Sequence, residues 1–363
     1  MPALSVTTQR RATHAVRNVA ETATGLRELL EGAGQVLREV LAADGSFVCT
    51  TDPVSGIFNA EAVVWGLPDA MRAPWMVNEF LHDDLNRFVD LQRDGIAVAS
   101  LHDAIRRTGR SSSRDTEVNA RFGYGPELRA NCAQGDAFWG AVNLVRFAEA
   151  EEFTAAEQQW LGSVTPYIAE GIRRLVLDRT LLGPDTIEPG VIMLDAHGRI
   201  VSQSETAPTL LDDLFIAAFD GGPDDELPCQ AVSVALSARA RALNAASARE
   251  PVSRVQGRSG HWLTLRGTHT VDAAGELAYI ALTIEPGRPE DIMAMIAVAY
   301  RLTAREQEVF AELRRGGSIE ETAERMFISP HTVRTHVRSL FAKTGCTSRG
   351  ELMSRLYVHR EAA

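Results

Sequence analysis

The sequence predicts a multidomain chain, two mixed α+β units followed by an all-α unit of four short helices, and three observations carry that expectation. Strand-turn-strand patterns occur in two separate stretches, around 127–147 and 191–202, with a further pair at 261–284. Gly183-Pro184 and Pro189-Gly190 interrupt the chain between the first two. From residue 302 onward, closely spaced helix-start signals replace the strand patterns.

The first unit is expected over 5–182. Residues 5–43 read as helix, and 46–51 and 56–67 alternate as strands around the Asp52-Pro53 and Ser55-Gly56 turns. In 127–132, Leu128, Ala130 and Cys132 share one face; Gln134-Gly135-Asp136 turns the chain, and 137–147 returns as a long strand. Thr154-Ala155-Ala156-Glu157 is a capping box, in which hydroxyl and carboxylate satisfy backbone N–H groups that a helix start leaves free; it opens a predicted helix of about 28 residues. Leu161, Val164, Ile168 and Leu175 form a narrow seam on that helix, suited to pairing across a dimer.

The second unit is expected over 188–286. Strands at 191–194 and 199–202 flank the turn Asp195-Ala196-His197-Gly198, and strands at 261–266 and 277–284 flank Asp272-Ala273-Ala274-Gly275. No internal sequence repeat links the two units, although both read as small antiparallel sheets with helices. A linker helix at 287–300 leads to a helical unit at 301–358. There Thr303-x-x-Glu306, Ser318-x-x-Glu321 and Ser348-x-x-Glu351 are capping boxes, and Ser329-Pro330 places proline in the first turn. Gly316-Gly317 and Gly345 end the first and third helices, while Phe327-Ile328 makes a turn as short as a helix-turn-helix requires.

Composition narrows the function. The chain has 363 residues, 45% hydrophobic and 23% charged, without the roughly 18 consecutive apolar residues of a membrane span. With no apolar run after Arg10 and Arg11 there is no signal-peptide pattern, so the expected location is the cytoplasm, with no membrane partner. Cys49, Cys132, Cys229 and Cys346 share no short spacing and read as reduced thiols; Cys49 and Cys132 read as buried strand residues. Lys343 is the only lysine, which excludes phospho-accepting receivers, P-loop NTPases and protein kinases from the first 300 residues, since each needs a lysine to hold phosphate. The chain lacks HExxH, CxxC, GxSxG and GxGxxG patterns, and His82-Asp83-Asp84 reads as a polar helix end. The expectation is therefore no enzyme, no catalytic residue and no metal site, with any cofactor unknown. Trp65, Trp75 and Trp139 are candidate ligand contacts in one apolar cavity; core packing is the alternative for each.

Residues 301–360 hold 11 Arg and Lys against 7 Glu, a balance of +4, which leaves −15 of the net −11 on the rest. On the third helix of this segment Val333, Val337, Leu340 and Phe341 fall on one face, and His331, Arg334, Thr335, Arg338 and Ala342 on the other. From Arg325 to Gly350 there are five basic residues, Lys343 among them, and no acid. Such a face can lie in a DNA groove, because arginines one turn apart reach phosphates or guanine edges with no carboxylate to repel the backbone; from the charge pattern alone, the solvated basic face of an ordinary four-helix bundle is the alternative.

Residues 302–357 resemble the LuxR-type (NarL/FixJ-like) DNA-binding domain along their whole length. Leu302-Thr303, Arg305-Glu306, Glu308-Val309, Gly316, Ala323, Ile328-Ser329, Thr332-Val333, His336, Lys343, Gly345, Ser348-Arg349 and Glu351-Leu352 fall in register. The resemblance implies DNA contacts from Arg334, Thr335 and Arg338, with His331 and Lys343 beside them, and a dimer contact from Leu352 and Leu356 on a last helix at about 349–358. One position departs, because Glu320 stands where the family usually has lysine. A carboxylate there cannot neutralise a phosphate, and each phosphate left unneutralised makes the salt dependence of binding shallower by about 0.9.

The element order of 5–182 resembles a GAF domain, with Gly125-Pro126-Glu127-Leu128-Arg129 and the Trp139-Gly140 strand similar to GAF-like sensor regions of LuxR-type regulators. Residues 188–286 resemble a PAS domain. These resemblances imply a cytoplasmic, homodimeric, one-component transcription regulator whose two sensory domains bind an unidentified small molecule and control a helix-turn-helix on promoter DNA, with RNA polymerase as a further partner. In the alternative, the front of the chain is an enzyme or ligand-binding module and the DNA-binding tail is secondary. In the regulator reading the signal either pairs two tails or releases them from the acidic body.

Overall fold

The computed structural model describes residues 5–177, 188–214, 227–245 and 248–352. The expected helix 5–43 is two helices, α1 (Val6–Thr22) and α2 (Leu26–Leu41). Ala23 takes an extended conformation, and the Glu28 carboxylate accepts from the Thr24 backbone N–H and hydroxyl, so the chain restarts at Gly25. Then follow β1 (Gly45–Thr51), β2 (Phe58–Trp65), α3 (Arg72–Leu81), α4 (Phe88–Arg93), β3 (Val98–Ser100), α5 (Leu101–Thr108), β4 (Tyr124–Gln134), β5 (Ala137–Phe147) and α6 (Ala155–Leu177). The strands form one antiparallel sheet in the order β2-β1-β5-β4-β3.

Alternation in the strands gives this sheet two apolar faces. Val48, Trp139 and Leu144 pack with α2 and α6 on one side, while Phe47, Phe138 and Val145 join Trp75 and Phe80 of α3 and Phe88 of α4 on the other. The capping box opens α6, with the Glu157 carboxylate accepting from the Thr154 N–H at 2.7 Å. The seam expected to pair across a dimer is spent inside the unit: Leu161, Val164 and Ile168 are fully buried and Leu175 nearly so, in the core shared with α1 and α2.

The second unit contains β6 (Gly190–Asp195), β7 (Ile200–Gln203), α7 (Ala207–Asp213), α8 (Cys229–Ala242), β8 (Val252–Gln256), β9 (Trp262–Val271) and β10 (Leu277–Pro286). Its sheet runs β7-β6-β10-β9-β8, again antiparallel, so both units share one strand order without sharing a repeated sequence. The two Asp-x-x-Gly turns form alike. Asp195 accepts from the backbone N–H of His197 and Arg199, Asp272 from those of Ala274 and Glu276, and Gly198 and Gly275 supply the positive φ each turn needs.

Helix α8 lies between the units. Ala231, Val234 and Ala238 pack on its own sheet, Cys229 joins the Phe47 and Phe58 cluster, and Gln230 donates to the carbonyl of Ala60 at 3.1 Å. The C-terminal unit has α9 (Pro289–Ala299), α10 (Ala304–Arg314), α11 (Ile319–Met326), α12 (Pro330–Thr344) and a further helical turn at 349–352. Helix α9 is more than a tether: Ile292, Met295 and Ile296 share a core with Val309, Phe310, Val333 and Leu340 of the helical unit and with Trp262 of β9.

Candidate nucleic-acid interface

Local signals build the α11–α12 pair. The Ser318 side chain accepts from the N–H of Glu321, whose carboxylate accepts from the N–H of Ser318; Ser329 accepts from the N–H of Thr332, and Pro330 opens α12. Between the helices Phe327 takes the left-handed conformation at φ 54°, which sharpens the turn and leaves its ring exposed. Val333 and Leu340 anchor α12 in the core, while His331, Arg334, Thr335, Arg338 and Ala342 stand exposed with both α+β units in place. In this arrangement the acidic body does not cover the helix.

The five basic residues of this segment divide. Arg338 has no ion pair among the described residues, and Arg334 is exposed with its guanidinium 2.9 Å from Glu320. Arg325 is paired with Glu312, and Arg349 donates to the carbonyls of Gly316 and Gly317. Lys343, expected beside the DNA contacts, has its ammonium 2.7 Å from Glu306 and 2.9 Å from the carbonyl of Arg301, so it fastens α12 to the start of α10. The Glu306 carboxylate also takes the Ser339 hydroxyl and the Thr303 N–H; these donors and Lys343 outweigh the desolvation that opposes its charge and lower its pKa to about 2. That stabilisation is complete above the ordinary carboxylate range and is lost as pH falls through about 2.

A phosphate that reached the Arg334 guanidinium would have to displace Glu320. Exchanging an exposed ion pair for a phosphate involves roughly 0.2–1 kcal/mol. Glu320→Gln is expected to tighten binding to a DNA fragment about two- to fivefold in a fluorescence-anisotropy titration. An unchanged affinity would show that the pair does not restrain the arginine.

Leu352, expected at a dimer contact, is turned inward and buried with Phe310 and Leu340; Leu356 lies outside the described residues. The three tryptophans are not brought together. Trp65 is 49% exposed with the Arg38 guanidinium 3.9 Å over its ring, Trp75 is buried against Phe47 and Phe58, and Trp139 is buried on the opposite face of the sheet. Their separation follows from strand alternation and the edge position of β2, so no single cavity has all three on its wall. All four cysteines are free and buried; burial holds the Cys49 thiol well above its ordinary value and pushes Cys132 up to about 12. Among the described residues there is no cluster of metal-ligand type and no helix long and apolar enough to cross a membrane.

What the sequence did not disclose is a buried ion network in the first unit. Arg114 Nε lies 2.9 Å from Glu127, Arg129 Nη1 2.6 Å from Glu79, and Arg249 of the second unit 2.7 Å from Glu79, all essentially buried. The one advance signal is the low exposure expected of strands β4 and β5, since charged residues there, Glu127 and Arg129, would have no route to water.

Residues 300–356 match the family of bacterial regulatory proteins described as GerE, luxR family. They form a LuxR-type helix-turn-helix domain. The chain is 44% identical over 57 residues to the monoamine regulon transcriptional regulator of Klebsiella aerogenes, covering 16% of this chain and 25% of that protein. It is 43% identical over 53 residues to the CsgBAC operon transcriptional regulatory protein of Escherichia coli, covering 15% and 24%. The chain thus spans about a quarter of the length of these curated relatives. In structure the chain is similar to the GAF domain of a phosphoenolpyruvate-protein phosphotransferase from Coxiella burnetii, at TM-score 0.35 and 15% identity over 47% of this chain and 96% of that one. It is also similar to the Vibrio cholerae VqmA dimer in the absence of target DNA, at TM-score 0.21 and 20% identity over 47% and 82%.

Proposed function

We propose that the protein is a one-component transcription regulator rather than an enzyme, acting in the cytoplasm on double-stranded promoter DNA. The observation that carries this reading is the uncovered outer face of α12, with Arg334, Thr335, Arg338 and His331, on a LuxR-type domain. In this reading 5–182 and 188–286 are GAF-like and PAS-like sensory domains, 287–300 is the linker helix, and 301–358 reads DNA, with RNA polymerase as the partner downstream. A small signal shifts the population between arrangements of two chains on adjacent half-sites.

Selection of bound genomic fragments with the full-length protein tests this, beside the Arg334→Ala/Arg338→Ala variant at the same salt. Removing an arginine that touches a base costs about 1–3 kcal/mol. The parent is expected to enrich a two-fold site and the variant to fall at least about tenfold in enrichment. Equal enrichment by both would remove α12 as the reading helix, and an asymmetric site would count against a dimer.

A further inference from the structure

A cleft of about 260 Å³ lies between α3 of the first unit and α8, β6 and β10 of the second. Its floor is apolar: Leu194 and Ile280 present the inner face of the second sheet, and Met76 closes it from α3. Arg72 of α3 and Arg239 of α8 both lie on its lining, Arg72 donating to the carbonyl of Leu227, and among the described residues the one carboxylate there, Asp69, sits on the exposed rim. Arg239 has no ion pair, and its Nε is buried without a hydrogen-bond partner, among the described residues. A guanidinium N–H placed so costs free energy unless an acceptor arrives, and a carboxylate is the acceptor that also answers the charge.

We propose that this cleft binds a small carboxylic acid with an apolar body, the carboxylate on Arg239 and the body on Met76, Leu194 and Ile280. The volume lies below the roughly 300–1,000 Å³ of clefts that hold drug-sized ligands. It fits a short-chain or single-ring acid and excludes dinucleotides and tetrapyrroles. Because the walls belong to different units, an occupant bridges them and favours the arrangement in which α3 and α8 are close, as binding at a domain interface does. The binding claim stands by itself; calling the acid a signal rests on the regulator reading.

The test uses the full-length protein titrated calorimetrically with butyrate, benzoate and phenylacetate, each beside its neutral amide. At least one acid is expected to saturate, about tenfold more tightly than its amide, as a charge-assisted hydrogen bond requires. Arg239→Met keeps the aliphatic stem and should abolish the difference between acid and amide. Ala73→Phe, at an exposed position of α3 on the cleft wall, should block both without unfolding the protein. The proposal is overturned if none of the three acids saturates, if acid and amide bind alike, or if neither substitution changes binding. Operator selection, read separately without acid, keeps the two ideas apart. DNA enrichment with no acid binding sinks the cleft alone, and acid saturation with no DNA enrichment sinks the regulator reading alone.

Discussion

Glu127→Gln is expected to cost the first unit about 3–5 kcal/mol, the range for breaking a buried ion pair from one side. Glu127 is fully buried and accepts from Arg114 Nε at 2.9 and 3.1 Å and from Asn119 at 3.1 Å, with the charge of Arg129 beside it, Nε 3.0 Å away and donating to Asn143. Desolvation opposes its charge, yet Arg114 and Arg129 hold its pKa below the ordinary carboxylate value. Around it three arginines, 114, 129 and 249, meet three carboxylates, Glu127, Glu79 and Asp84, so the network is neutral as a whole. An amide keeps the shape of the carboxylate but leaves one positive charge too many in a site closed by Phe88 and Trp75, whose rings lie 4.6 and 5.1 Å from the Arg129 guanidinium carbon. At roughly 2–4 °C per kcal/mol for a unit of this size, the midpoint of its thermal transition should fall by on the order of 10 °C. The double variant Glu127→Leu/Arg114→Met removes both partners and should destabilise less than the two single changes together. A midpoint shift under about 2 °C for Glu127→Gln, on the same scale, would mean that water reaches the network.

The contrast between this network and the helical tail explains what the sequence disclosed. Capping boxes at Thr303 and Ser318, the Asp195 and Asp272 turns and the β4–β5 hairpin are legible because each is made by residues within a few positions of one another. The outer face of α12 is legible for the same reason, since helix periodicity alone decides it. Lys343 reads as a DNA-side residue only while its partner is hidden: Glu306 is 37 positions upstream, and the two meet only once α10 and α12 pack. The tryptophans group together by the proximity of their strands, but the face each takes depends on strand register. Leu352 reads as an interface residue from its place on the last helix, although the core formed by Phe310 and Leu340 takes it first. The common strand order of the two α+β units is invisible as a sequence repeat because two different apolar patterns satisfy the same antiparallel topology.

A second long-range contact should govern how the three parts move together. Asp52, fully buried in the turn after β1, accepts from the backbone N–H of Arg254 on β8 at 2.8 Å and from its guanidinium at 2.9 Å. The same guanidinium lies 3.7 Å from Asp291 near the start of α9, which is also held by Arg266. One side chain therefore touches the first unit, the second unit and the helix that leads to the DNA-binding tail. Arg254→Met should cost about 2–3 kcal/mol, less than the change at Glu127, because Asp52 keeps the N–H groups of Val54 and Ser55 and Asp291 keeps Arg266. Arg266→Met, at a side chain 36% exposed, should cost under about 1 kcal/mol. Calorimetry separates stability from coupling. If Arg254 joins the units, its replacement splits a shared unfolding transition into two, whereas Arg266→Met lowers the midpoint slightly and leaves the shape unchanged. A single transition in the Arg254→Met protein would place the coupling instead in α8, whose apolar contacts with both sheets the substitution leaves intact.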